Sequence, residues 1–161
     1  MSTFDLFLVQ FILGITCWTI IAYWVVHPWL RGKSKMESLK YLVIPQMFRH
    51  IGIGLAVPGL VALDMPHDLA IQIAAGDTIT AIAFMIAFVS LNSKWKVSMP
   101  IVWLANMIGF TDVMLSVIRA SINDISNQLH GAWYIPTLSV PLMIIGHVLI
   151  FVILLKKDNG K

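Results

Sequence analysis

Five long apolar runs, residues 4–30, 41–63, 69–91, 97–118 and 134–155, constrain this chain more than any other feature. Each exceeds the roughly 20 residues a helix needs to cross about 30 Å of hydrocarbon. No water is available there to satisfy backbone N–H and C=O groups, so each run is predicted to be a transmembrane helix. Composition agrees. Of 161 residues, 58% are hydrophobic and 12% are charged, against about 25% charged in soluble domains. The expected fold class is an all-α integral membrane protein with five transmembrane helices in a single membrane domain, residues 1–161. The first run carries Asp5 rather than a basic start. It is also longer than the 7–15 apolar residues of a signal peptide, so it reads as a retained helix.

The loops set the orientation. Residues 31–40 hold Arg31, Lys33, Lys35 and Lys40 against Glu37, residues 64–68 hold two acids and no Lys or Arg, and residues 92–96 hold Lys94 and Lys96. Residues 119–133 balance Arg119 against Asp124, and the tail sets Lys156, Lys157 and Lys161 against Asp158. Basic excess alternates from loop to loop. With positive loops inside, the N-terminus is outside and the C-terminus is cytoplasmic, in an inner or plasma membrane. The net charge of +3 therefore follows the bilayer, and no soluble basic domain is present to bind nucleic acid. Trp29, Tyr41, Trp95, Trp133 and Tyr134 fall near the expected interfaces, where amphipathic rings are enriched. Cys17 is the single cysteine, which excludes an intrachain disulfide and a multi-cysteine metal site.

Ionisable residues inside membrane spans are rare and mark functional sites by default. Here they are Arg49 and His50 in the second run, Asp77 in the third, Asp112 in the fourth and His147 in the fifth. Counting along the helices places Arg49, His50, Asn106 and His147 about 10–14 Å from the cytoplasmic side, and Asp77 and Asp112 about 18–22 Å. Asn106, Gly109, Asp112, Ser116 and Arg119 are spaced by three or four and form one stripe, with Met107 and Leu115 on the lipid side. Gln46, His50 and Gly54 are four apart, with Arg49 about 100° round from His50, and His50 is expected to face the same pocket as Arg49. Such stripes also act as helix–helix glue, and a buried Arg needs a partner in any case. Four of five runs nevertheless converge on mid-membrane, and one ion pair needs only two of them. Arg49 is expected to be held by Asp77, Asp112 or both. The surplus acid is then protonated or satisfied by His147, Asn106 or Thr111.

This constellation suits four functions. The favoured one is binding or translocation of a small ligand or proton in a polar pocket between the second and fifth runs, with Arg49, His50, Asp77, Asn106, Asp112 and His147 as ligand-binding residues. The bilayer, a small molecule or ion and a second copy of the chain are the expected partners. The alternative is a membrane-embedded acid/base enzyme on an isoprenoid- or sterol-like substrate, with Asp112, Asp77 and His147 as the catalytic candidates. The third is a haem-binding subunit with His50 and His147 as axial ligands. The fourth is a non-catalytic accessory subunit whose polar residues fix helix register.

Overall fold

The computed structural model describes residues 1–156, and no strand occurs among them. In chain order the elements are α1 (Thr3–Leu30), α2 (Lys35–Leu42), α3 (Ile44–Met47), a 3-10 helix (Phe48–Ala56), α4 (His67–Asn92), α5 (Ser98–Ile122), a 3-10 turn (Ile125–Gln128) and α6 (His130–Leu155). Helices α1, α4, α5 and α6 have 28, 26, 25 and 26 residues and are long and apolar enough to cross a membrane. At 1.5 Å per residue each is roughly 37–42 Å long. Lys157, Asp158 and Lys161, which entered the charge comparison, lie outside the described residues.

Local chemistry explains the helix ends. Asp5 belongs to a capping box: its amide donates to Ser2 Oγ at 3.1 Å, and its carboxylate accepts from the Ser2 amide at 2.7 Å. Within α1, Pro28 removes the N–H that would bond the carbonyl four residues back, and the preceding turn, Ala22–Val26, widens to π geometry. Pro136 and Pro141 accompany a second π turn, Ile135–Ser139, in α6.

The single helix expected over residues 41–63 does not form. Helix starts earlier, at Lys35, where Ser34 Oγ accepts from the Glu37 amide at 3.2 Å. It breaks at Val43, resumes as the four residues of α3, then tightens into nine residues of 3-10 helix and stops at Ala56. Four residues account for this. Pro45 cannot donate to the Tyr41 carbonyl, Gly52 and Gly54 are poor α-formers, and Pro58 holds Val57 extended at φ −85° and ψ 120°. A 3-10 helix repeats every three residues, so Gln46, Arg49, Gly52 and Leu55 fall on one buried face. The segment still runs the length of α4. Leu39, Leu42 and Val43 share a core with Phe84, Ala87 and Leu91 at one end of α4, and Leu55 shares another with Leu69, Ala70 and Ile73 at the other.

Those two apolar cores cap the bundle and leave a polar layer between them. The first also takes in Val102, Ala105, Ile150 and Leu154, and the second Ile125, Leu129 and Ala132. Helix α1 is peripheral and is fixed to α6. Trp133 Nε1 donates to Gln10 Oε1 at 2.6 Å, and Trp18 Nε1 donates to the Leu138 carbonyl at 3.3 Å. Gly14 lets the backbones approach, since a Cβ there would lie 2.7 Å from the Thr137 carbonyl oxygen. The outer face of α1, with Leu6, Val9, Ile12 and Leu13, is exposed. Exposed Ile79, Ile82, Leu104, Met107 and Val152 continue that apolar exterior round the other long helices. Apolar surface of this extent suits hydrocarbon rather than water.

Candidate functional site

Arg49 is the hub of the polar layer. The 3-10 face delivers it, 3% exposed, into the space between α4, α5 and α6. A guanidinium carries five N–H donors and no acceptor, and every donor has a partner. Nε donates to Asp77 Oδ1 at 2.8 Å, and Nη2 donates to the same oxygen at 2.5 Å and to Asp112 Oδ2 at 2.6 Å. Nη1 donates to the Gly109 carbonyl at 2.7 Å and to His147 Nε2 at 3.4 Å.

These partners fix the histidine tautomer. Because Arg49 cannot accept, His147 Nε2 must be the acceptor, and its proton resides on Nδ1. Nδ1 then donates to Asn106 Oδ1 at 2.8 Å, and Asn106 Nδ2 donates to the His147 carbonyl at 3.3 Å. Both side chains are fully buried, with the imidazole between Phe84 and Phe110 at ring separations of 5.6 and 6.1 Å. One turn along, Gln46 Nε2 donates to the Met143 carbonyl at 3.0 Å.

Glycines make room for the acids. A Cβ at Gly52 would lie 1.8 Å from Asp77 Oδ2, and one at Gly76 would lie 1.9 Å from Asp112 Oδ1. A Cβ at Gly109 would meet Thr80 Cγ2 at 2.6 Å and His147 Cε1 at 2.7 Å. Any side chain at these three positions would push a member of the cluster off the guanidinium. The carboxylates are less enclosed than the arginine, with side-chain exposures of 14% for Asp77 and 21% for Asp112.

A cavity of about 230 Å³ opens beside this cluster, toward the end of the bundle that holds residues 57–66 and Ile125–Gln128. Phe4, Phe7 and Phe11 of α1 form one wall, with Ile73, Val113 and Met143 among the residues opposite. Arg49 and Asp77 supply its charged inner end, and Ser116, Ser121 and Ser139 its other polar lining.

Of the six residues expected to bind ligand, five are brought together: Arg49, Asp77, Asn106, Asp112 and His147. Arg49 is held by both acids rather than one. Asn106 and Gly109 are buried and Ser116 lines the cavity, while Met107 and Leu115 are 51% and 44% exposed, as the stripe on α5 predicts. His50 is the exception. It is exposed, and its Nδ1 lies 3.1 Å from the Met47 carbonyl of its own turn. The four-residue spacing from Gln46 to His50 and Gly54 assumed α geometry, whereas a three-residue repeat turns His50 away. The haem pairing fails for the same reason, and both ring nitrogens of His147 are already engaged by Arg49 and Asn106.

The wall from α1 lies outside the expected pocket, which spans the second to fifth runs. A signal was there: Phe4, Phe7, Leu8 and Phe11 fall at helical positions i, i+3, i+4 and i+7. In a helix apolar on every side that stripe has no contrast.

Four long apolar helices, with a polar layer buried among α4, α5 and α6, form an apolar helical bundle compatible with a membrane protein. Residues 6–155 match the family described as domain of unknown function DUF8737, and the chain belongs to that family. No curated protein and no solved structure matches it.

Proposed function

We propose that this is a five-crossing membrane protein that binds a small lipophilic ligand in the cavity beside Arg49, Asp77 and Asp112. The observation that carries the reading is the cavity itself, apolar along its walls and charged at one end. A purely structural ion pair needs no chamber, and a pocket lined by aromatic and aliphatic side chains with a few convergent polar groups is the usual form of a small-molecule site. Two facts support the fifth crossing. Residues 35–56 lie along all of α4, and at 1.5 Å per α residue and 2.0 Å per 3-10 residue they extend roughly 35–40 Å. Alternating loop charge puts the N-terminus outside and residues 92–96 in the cytoplasm, so the cavity lies in the outer half of the membrane. Leu8 and Ile51 are half-exposed where they line it, which suits a ligand arriving from the lipid.

Binding is favoured over acid/base catalysis by the lining. Asp77 reaches the cavity, but His147, the expected partner base, lies behind Arg49 and is not among the described residues that line it.

The test is photolabelling in lipid nanodiscs with an n-alkanol bearing an aliphatic diazirine. Label is expected on Phe7, Ile73 and Val113 in the native chain and is lost from them in Ser116→Trp or Ala120→Phe, which fill the chamber. Label confined to outward-facing residues such as Leu104 and Val152 would refute the site.

A further inference from the structure

The cavity combines a charge imbalance with a fully committed arginine, and together these specify what it takes. We infer that the occupant is a lipophilic cation: an amphiphile with one ammonium-type head and an apolar body. The inference rests on the reading of the cavity as a ligand site.

Arg49 faces two carboxylates, Asp77 and Asp112, both on the same Nη2. His147 contributes no second cation, because its Nε2 must be an acceptor toward Arg49. Arg119, the next basic group along α5, is exposed and donates to Gln72 Oε1 at 3.1 Å, outside the cavity lining. With both acids ionised the cluster carries one uncompensated negative charge. Such a charge is costly beside an apolar chamber unless a proton neutralises it or a cation sits against it.

An anionic head has nothing to bind. All five Arg49 donors are spent within the chain, so a carboxylate or phosphate would have to strip bonds from Asp77, Asp112, Gly109 or His147. Acceptor capacity, in contrast, is left over. Asp77 Oδ1 takes both bonds from Arg49, and Asp112 is bound through Oδ2, while Asp77 Oδ2 and Asp112 Oδ1, packed against Gly52 and Gly76, accept no hydrogen bond from the described residues. Asp77 borders the cavity, so a head group seated there meets a carboxylate whose charge Arg49 only partly offsets. The walls agree. Phe4, Phe7 and Phe11 offer aromatic faces, which attract cations as well as apolar chains, and the remainder is largely aliphatic.

Competition in the diazirine-alkanol experiment tests this with three chain-matched probes: octylammonium, octanol and octanoate. Octylammonium is expected to displace the label from Phe7 and Val113 at a concentration at least tenfold below octanol, with octanoate the weakest. In Asp112→Asn, where one arginine faces one carboxylate, the preference for octylammonium over octanol should fall at least tenfold. Equal competition by all three probes, or octanoate ahead of octylammonium, overturns the cation while leaving the cavity as a ligand site. Absence of any cavity label in the native chain overturns both. If Asp112→Asn does not fold, Asp112→Glu, which keeps the charge, must retain the octylammonium preference, and loss of that preference in a folded Asp112→Glu would overturn the role given to the charge.

Discussion

Arg49→Gln attacks the hub and separates its partners energetically. The substitution leaves Asp77 and Asp112 without a counter-charge and deprives the Gly109 carbonyl and His147 Nε2 of their donors. Removing one partner of a buried pair costs about 3–5 kcal/mol, and each orphaned acceptor adds about 1–3 kcal/mol. The acids are 14% and 21% exposed, so water relieves part of this, and a net loss of about 4 kcal/mol is expected. At about 2–4 °C per kcal/mol for a chain this size, the unfolding midpoint should fall by roughly 8–16 °C. The two acids should behave differently. Asp77 accepts from both Nε and Nη2, and Asp77→Asn should cost about 2–3 kcal/mol. Asp112 accepts one bond and is more exposed, and Asp112→Asn also removes the surplus charge, so its cost should stay under about 1 kcal/mol. Combining Arg49→Gln with Asp77→Asn should recover more stability than combining it with Asp112→Asn, and the triple variant should recover most. Thermal unfolding of all six variants in one detergent, read as double-mutant cycles, decides the matter. A coupling between Arg49 and Asp77 below about 0.5 kcal/mol, the ordinary error of additivity, would refute it.

Gly52→Ala should destabilise more than Gly76→Ala, by about 2–3 against 1–2 kcal/mol, because the first displaces the carboxylate that holds two Arg49 bonds; Gly32→Ala, with no atom within 4 Å of the added Cβ, should be near neutral in the same melt. Reporter fusions at residues 92–96 should read cytoplasm, and those at residues 64–68 and 121–131 should read the outside. A cytoplasmic reading at residues 64–68 would remove the fifth crossing and reverse the side from which the cavity is reached.

Where the sequence spoke through chemistry it was legible, and where it spoke through helix geometry it was not. Arg49, Asp77, Asp112, Asn106 and His147 announce themselves because a polar side chain in an apolar run has few places to go. The stripe on α5 could be read because residues 98–122 keep α geometry throughout, so spacings of three and four translate directly into a face. Hydropathy over residues 41–63 carries no such information. It reports that the run is apolar, and it is equally apolar as α-helix or as 3-10 helix. The deciding residues, Pro45, Gly52, Gly54 and Pro58, are tolerated in membrane helices when neighbours satisfy the freed backbone groups, so they do not by themselves argue for a break. Here Gly52 cannot be exchanged for a better helix former, since Asp77 Oδ2 occupies the space its Cβ would need. The same glycine thus weakens the α-helix and admits the carboxylate. The three-residue repeat that follows carries Gln46, Arg49, Gly52 and Leu55 inward together and turns His50 out. The break in the second run therefore shapes the site: in a continuous α-helix each step of three residues drifts by about 60°, so Leu55 would lie about 120° round from Arg49, whereas the 3-10 segment keeps Arg49, Gly52 and Leu55 in register on the buried face.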